Sequence, residues 1–226
     1  MLKAVIFDFD GVITDTEILH FNAFNQVLAK YDIQISLDDY YKYYLGLTDA
    51  DCFKLLSKEG RLKANEQELI NITACKWQLF DKLVRKEWKI IDGAGEFIKR
   101  LYENKIKLAI YSGALLPEIE FILKASELHK YFEVIISAEQ VTKAKPDPQG
   151  FKLALKRLND KNNSSILPEE CIVVEDAFWG LAGAIAAGMH TVAVTNSYHA
   201  EKLTMAEKIV ERLDNLTLFE LQELCS

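Results

Sequence analysis

Short runs of apolar, largely β-branched residues recur along the chain, and between them apolar positions return at helical spacing. The runs are Ala4-Val5-Ile6-Phe7, Leu108-Ala109-Ile110-Tyr111, Val134-Ile135-Ile136, Ile172-Val173-Val174 and Thr191-Val192-Ala193-Val194, with Ile209-Val210 as a short edge strand. They are continuous, not alternating, which predicts strands buried on both faces and hence an α/β fold with a parallel sheet between helices. The spacing is uneven once. About a hundred residues separate the first run from the second, whereas later runs follow at the roughly twenty-to-forty-residue interval of β-α units. An insert is therefore predicted there.

That insert, Thr14 to Arg85, has no Pro and only Gly46 and Gly60, and Ile18, Phe21, Phe24, Val27 and Leu28 fall at helical spacing. It reads as a helical subdomain over 16–85, carried by an α/β core of 1–15 and 86–226. Tyr31, Tyr40, Tyr41, Tyr43 and Tyr44 crowd within it; core packing with wetted hydroxyls outweighs ligand stacking for such residues. Asp92-Gly93-Ala94-Gly95 precedes a helical run but is no dinucleotide fingerprint, because Ile98 stands where the third glycine belongs.

Composition narrows the functional classes. Half of the 226 residues are hydrophobic and four are Pro, which is globular composition. The 27 Lys and Arg against 34 Asp and Glu give a net charge of −7, which argues against nucleic acid as a partner, since that needs clustered positive charge. Cys52, Cys75, Cys171 and Cys225 form no C-x-x-C pair, so neither a zinc cassette nor a redox dithiol is written. The opening MLKAVIFDFDG lacks the apolar core and cleavage site of a secretory leader, and no apolar run approaches a membrane span. A cytoplasmic monomer without a membrane partner is expected.

Candidate chemistry gathers at the predicted strand ends. The first strand runs into Asp8-Phe9-Asp10-Gly11; residues two apart in extended chain share a face, so two carboxylates are near neighbours and call for a cation. An EF-hand loop is ruled out because Leu19 occupies the position of its bidentate acid. On its own the pair is equally a solvated turn. The fourth strand, however, ends in a second acidic pair, Glu175-Asp176. If strands one and four are neighbours, three or four carboxylates converge into the oxygen set that Mg2+ prefers. The second strand ends in Tyr111-Ser112-Gly113, offering a hydroxyl and a backbone N–H, and Lys143-Ala144-Lys145-Pro146-Asp147-Pro148 supplies a cation. Gly180, Gly183 and Gly188 suit close packing in the helix after Asp176.

Carboxylate, hydroxyl, lysine and carboxylate pair, in that order, resemble the four motifs of the haloacid dehalogenase superfamily, and the insert is similar to the helical cap of its β-phosphoglucomutase-like and phosphoglycolate-phosphatase-like subgroup. The motif Asp8-x-Asp10-Gly11-x-x-x-Asp15-Thr16 carries most of the resemblance. The resemblance implies a Rossmann-like core with an inserted helical cap, hinged near Thr14–Thr16 and Arg85–Lys89, whose closure excludes water. It implies Asp8 as nucleophile forming an aspartyl-phosphate and Asp10 as general acid and then base. It further implies Mg2+ held by Asp8, the Asp10 backbone carbonyl and Asp176, with Glu175 direct or through water, and Ser112, the Gly113 N–H and Lys145 on the phosphoryl oxygens. Phe9, Ala114, Gly46, Thr48 and Asp49 fall at substrate-facing positions. His20 matches a position where mutase members carry a proton-transferring histidine, and packing or capping is an equal alternative.

Two departures from the mutase pattern favour a phosphatase. The family's β-phosphoglucomutases carry an Arg in the cap loop and a Ser-Lys-Asn run after the core hydroxyl, where this chain has Asp49 and Ala114-Leu115-Leu116. Both remove a donor for a second phosphate. The expected reaction is Mg2+-dependent hydrolysis of a small-molecule phosphate ester, with a sugar phosphate favoured. The alternatives are a β-phosphoglucomutase-type phosphohexomutase and a metabolite-binding homologue without catalysis, the latter disfavoured because all four chemical elements are intact.

Overall fold

The computed structural model describes every residue from Met1 to Ser226. The chain divides into two compact units, Met1–Asp15 with Lys89–Ser226, and Thr16–Trp88. Six strands form the first unit: β1 (Ala4–Phe7), β2 (Lys107–Tyr111), β3 (Val134–Ile136), β4 (Cys171–Glu175), β5 (His190–Val194) and β6 (Lys208–Val210). Nine helices follow in chain order, α1 (Glu17–Leu28), α2 (Leu37–Asp39), α3 (Asp49–Lys58), α4 (Glu66–Glu87), α5 (Ala94–Glu103), α6 (Leu116–Ala125), α7 (Gln149–Asn162), α8 (Phe178–Ala186) and α9 (Leu218–Leu224). No helix is long and apolar enough to cross a membrane.

All neighbouring strands pair in parallel, in the order β3-β2-β1-β4-β5-β6. This is a Rossmann-like core. Successive β1 side chains face opposite sides of the sheet. Ala4 and Ile6 join Phe151 and Leu155 of α7 and Ala184 of α8 in one buried cluster, while Phe7 meets Phe97 of α5 edge-on at 6.0 Å. Burying each such large apolar side chain stabilises the fold by about 1.5–3 kcal/mol. Helices thus cover both faces of β1, which explains why its run is continuous and not alternating. The strand order reverses at β1, so the crevice beyond its carboxyl end is where folds of this kind place ligands. Within this unit Thr14 bridges to Ile90, and its hydroxyl donates to the Lys89 carbonyl at 2.8 Å.

In the second unit α1, α3 and α4 enclose their own core of Phe24, Val27, Leu28, Phe53, Leu56 and Ile72, with Phe24 stacked on Phe53 at 4.7 Å. A capping box at Asn65 and Glu68 starts α4, which continues past Arg85 to Glu87, so the unit closes at Trp88. The tyrosine-rich segment is one turn of π-helix, Tyr40–Tyr44, with the Leu45 N–H donating to the Tyr40 carbonyl at 3.0 Å. Tyr40 and Tyr44 are buried in the helical core and Tyr41 and Tyr43 are exposed. Packing accounts for the buried pair, and the Tyr40 hydroxyl donates to Glu17 at 2.6 Å.

Candidate active site

Phe7 of β1 lies in register with Val174 of β4, and the Asp8 N–H donates to the Val174 carbonyl at 2.9 Å. The next residues of both strands therefore emerge side by side. Carboxylate oxygens of Asp8, Glu175 and Asp176 lie within 4.8 Å of one another, and all three residues are buried. From β2, buried Ser112 is fixed by its N–H on the Ile136 carbonyl at 3.0 Å, and its Oγ accepts the Ala114 N–H at 3.0 Å. Gly113 is exposed, with open space where a Cβ would stand.

Lys145 enters from the loop before α7. Gln149 shapes that loop, its Oε1 accepting the Thr142 and Lys143 N–H groups at 2.9 Å each. The Lys145 ammonium donates to Asp8 Oδ1 at 2.5 Å and Glu175 Oε1 at 2.6 Å, and lies 5.0 Å above the Tyr111 ring and 5.6 Å from that of Phe151. Although burial opposes its charge, Asp8 and Glu175 hold the ammonium above its ordinary range.

The acids are less comfortable. Burial, reinforced by Asp8 and resisted by Lys145, pushes Glu175 up to about 7. Burial, then Glu175 and Asp8, hold Asp176 well above the usual carboxylate range. Three buried carboxylates face a single lysine, so the cluster lacks positive charge, and its donor set is all oxygen. Both features fit a divalent cation.

The profile of the haloacid dehalogenase-like hydrolases matches residues 5–194. The chain belongs to this family. A phosphorylated carbohydrates phosphatase of Thermotoga maritima is 32% identical over 192 residues, covering 84% of each protein. A β-phosphoglucomutase of Bacillus subtilis is 28% identical over 228 residues, covering 98% of this chain and 95% of its own. The crystal structure of a Clostridium difficile β-phosphoglucomutase superposes with a TM-score of 0.84 at 25% identity, covering 100% of this chain and 97% of that one. A divalent metal is general to haloacid dehalogenase-like hydrolases, which agrees with the acidic cluster.

Other sequence-predicted positions separate by role in this family member. The Phe9 ring is fully buried, so its side chain is core and its backbone carbonyl accepts the Ile13 and Thr14 N–H groups at 2.8 and 3.1 Å. Asp10 follows in the same turn, with a β-bridge to Thr14. Thr48 is the N-cap of α3, its hydroxyl accepting the Asp51 N–H at 3.2 Å, and Gly46 makes the preceding turn with φ +83°. Gly180 does pack closely: a Cβ there would fall 1.9 Å from Glu175 Oε1. Gly188 lies beyond the end of α8 with φ +79°, a terminating position and not one within the helix.

Sequence reading missed Lys76. It is fully buried on α4 with Ile72, Phe80 and Val84, and its spacing from Ile72 and Phe80 on the apolar face was the available signal. Its ammonium lies 2.8 Å from both Asp49 oxygens and 2.5 Å from His20 Nδ1, and His20 stacks on Phe80 at 3.8 Å. An ammonium has donors only, so Nδ1 accepts and the imidazole proton sits on Nε2. Burial, then the Lys76 charge, hold His20 well below 6.5.

A histidine that stays neutral in the folded state contributes stability above its unfolded pKa and loses it as pH falls. His20→Asn retains an acceptor near Nδ1 but does not titrate, so the stability that wild type holds over this variant in urea melts is expected to shrink as pH drops below 6.5, while the raised Glu175 and Asp176 act alike in both proteins. A difference independent of pH would count against a neutral His20.

Proposed function

We propose that this hydrolase is a Mg2+-dependent phosphatase that cleaves a small phosphorylated carbohydrate through an aspartyl-phosphate on Asp8. The observation that carries the reading is the meeting of Asp8, Glu175, Asp176 and Lys145 at one strand edge, in a chain similar over most of its length to a phosphorylated carbohydrates phosphatase.

In this scheme an Asp8 carboxylate oxygen attacks phosphorus as the bond to the ester oxygen breaks, and Asp10 protonates the departing alkoxide. Asp10, now a carboxylate, takes a proton from water as the water oxygen attacks phosphorus and the acyl-phosphate bond breaks, freeing phosphate and restoring Asp8. Lys145, Ser112 and the Gly113 N–H hold the phosphoryl oxygens, where charge is stabilised in such transfers. Mg2+, held by Asp8, the Asp10 carbonyl, Glu175 and Asp176, would neutralise the anions that must meet.

Two features support a phosphatase over a mutase. Lys76 is fully buried and its ammonium is held by Asp49 and His20, so it offers no free charge to a second phosphate. In the core run, the Ala114 N–H is committed to Ser112, and Ala114-Leu115-Leu116 carries no polar side chain.

Sugar monophosphates with Mg2+ should yield inorganic phosphate and free sugar in equal amounts, with release lost on chelation. Interconversion of hexose 1- and 6-phosphates after bisphosphate priming, without net phosphate release, would replace this reading with the mutase. Release from no phosphate ester would remove it.

A further inference from the structure

The loop that follows β5 reaches Gly11, next to Asp10 beyond β1, and stands beside Asp176 at the end of β4. Its root is pinned by the Thr195 N–H on the Val210 carbonyl at 3.1 Å. Just beyond, the Asn196 side chain donates to the Gly11 carbonyl at 2.7 Å, and the Ser197 Oγ stands on the same face of Gly11 as the Asp176 carboxylate. Gly11 is the meeting point. A Cβ on it would fall 1.8 Å from Asp176 Oδ2 and 2.9 Å from Ser197 Oγ, and its φ is +74°, so a side chain is excluded both by space and by conformation.

Gly11 also controls the neighbouring Asp10 carbonyl. Its own N–H donates to the Thr14 carbonyl at 2.8 Å. Because the Asp10–Gly11 peptide is planar and trans, that bond turns the Asp10 carbonyl to the opposite side, away from Thr14. Asn196 holds the next peptide by its oxygen, so both planes flanking Gly11 are anchored. Ser197 Oγ and Asp176 Oδ2 meanwhile crowd the space beside Gly11, so the hydroxyl limits how that carboxylate can turn.

We infer that Asn196 and Ser197 are positioning residues that set divalent-cation affinity, Asn196 by orienting the Asp10–Gly11 turn and Ser197 by orienting Asp176. The inference rests on the cation site described above, not on which ester is cleaved. Neither residue belongs to the four motifs. Removing a polar neighbour that orients a metal ligand commonly changes affinity by about 10–100-fold.

Mn2+ titration of the substrate-free full-length protein, followed by the electron paramagnetic resonance of free Mn2+, tests this without any turnover. Ser197→Ala is expected to weaken binding about tenfold, Ser197→Thr to restore it, and Asn196→Ala to weaken it by a smaller factor, with the chelated proteins melting as wild type does. In hydrolysis assays the Mg2+ requirement of Ser197→Ala should rise while its rate at saturating Mg2+ stays near wild type. Wild-type affinity in both Ser197→Ala and Asn196→Ala would overturn the inference and leave the phosphatase reading intact. Failure of the wild-type protein to bind Mn2+ at all would overturn both.

Discussion

Asp8→Asn is expected to lower phosphate release by roughly 10⁴-fold or more, the scale seen when the nucleophile of a covalent mechanism is removed. Asparagine has nearly the shape of aspartate but its amide cannot form the acyl-phosphate. The variant should remain folded. Lys145 keeps Glu175 as a partner at 2.6 Å, so no buried cation is stranded, and Asp8 is one of the charges that raise Glu175 and Asp176. Removing it relieves repulsion among the buried acids. The chelated variant is therefore expected to melt no lower than chelated wild type by more than a few tenths of a kcal/mol, about the effect of a tolerated substitution. Loss of turnover with an unchanged melt separates chemistry from folding. Steady release of phosphate by the variant would remove the aspartyl-phosphate mechanism.

Lys145→Met is expected to act on both activity and stability. The side chain is 9% exposed and pairs with two carboxylates that are 12% and 1% exposed. Removing one member of a buried ion pair typically costs about 3–5 kcal/mol, because the remaining charge has lost its partner. Here the remaining charges can take up protons, which makes the cost depend on pH. Glu175, already pushed up to about 7 by burial, loses its main compensating charge and moves higher. An acid raised on folding contributes stability below its unfolded pKa and loses it as pH rises through the folded value. The deficit of chelated Lys145→Met relative to wild type should thus be smaller at pH 5 and grow above about pH 7, towards roughly 3 kcal/mol. Mg2+ should return part of that stability by supplying the missing charge. It should not return activity, because the donor proposed for the phosphoryl oxygens is gone, a loss of about 10²-fold or more in turnover. A deficit independent of pH would show that the acids are not what Lys145 balances.

Much of this was legible in the chain. Each continuous apolar run became a strand of the sheet, including the short β6 at Lys208–Val210, because strands covered on both faces leave no polar alternation. The uneven interval marked the helical insert, since two parallel neighbours need only a short crossover. The acids and serine at strand ends, with the lysine of the loop before α7, pointed to the candidate site because the carboxyl edge of an open parallel sheet is where such folds bind ligands.

The misses share a cause. Lys76 sits on an apolar helix face, and pattern reading treats a lysine as surface. Its burial makes sense only once Asp49 and His20, distant in sequence, are known to converge on it. Phe9 lies between two candidate site acids in sequence yet turns into the core. Asn196 and Ser197 carry no motif, and they stand beside Gly11 because β5 follows β4 in the sheet.

By itself, then, the sequence determined the element types, the inserted helical segment and the residues proposed for phosphoryl chemistry, because periodicity and side-chain chemistry are local properties. The tertiary structure decided which strands are neighbours, and with that the convergence of Asp8 with Glu175 and Asp176 and the partners of Lys145. It also decided that Lys76 neutralises Asp49. Those outcomes depend on the through-space distances at which charges act, and strand order sets such distances between residues more than a hundred positions apart.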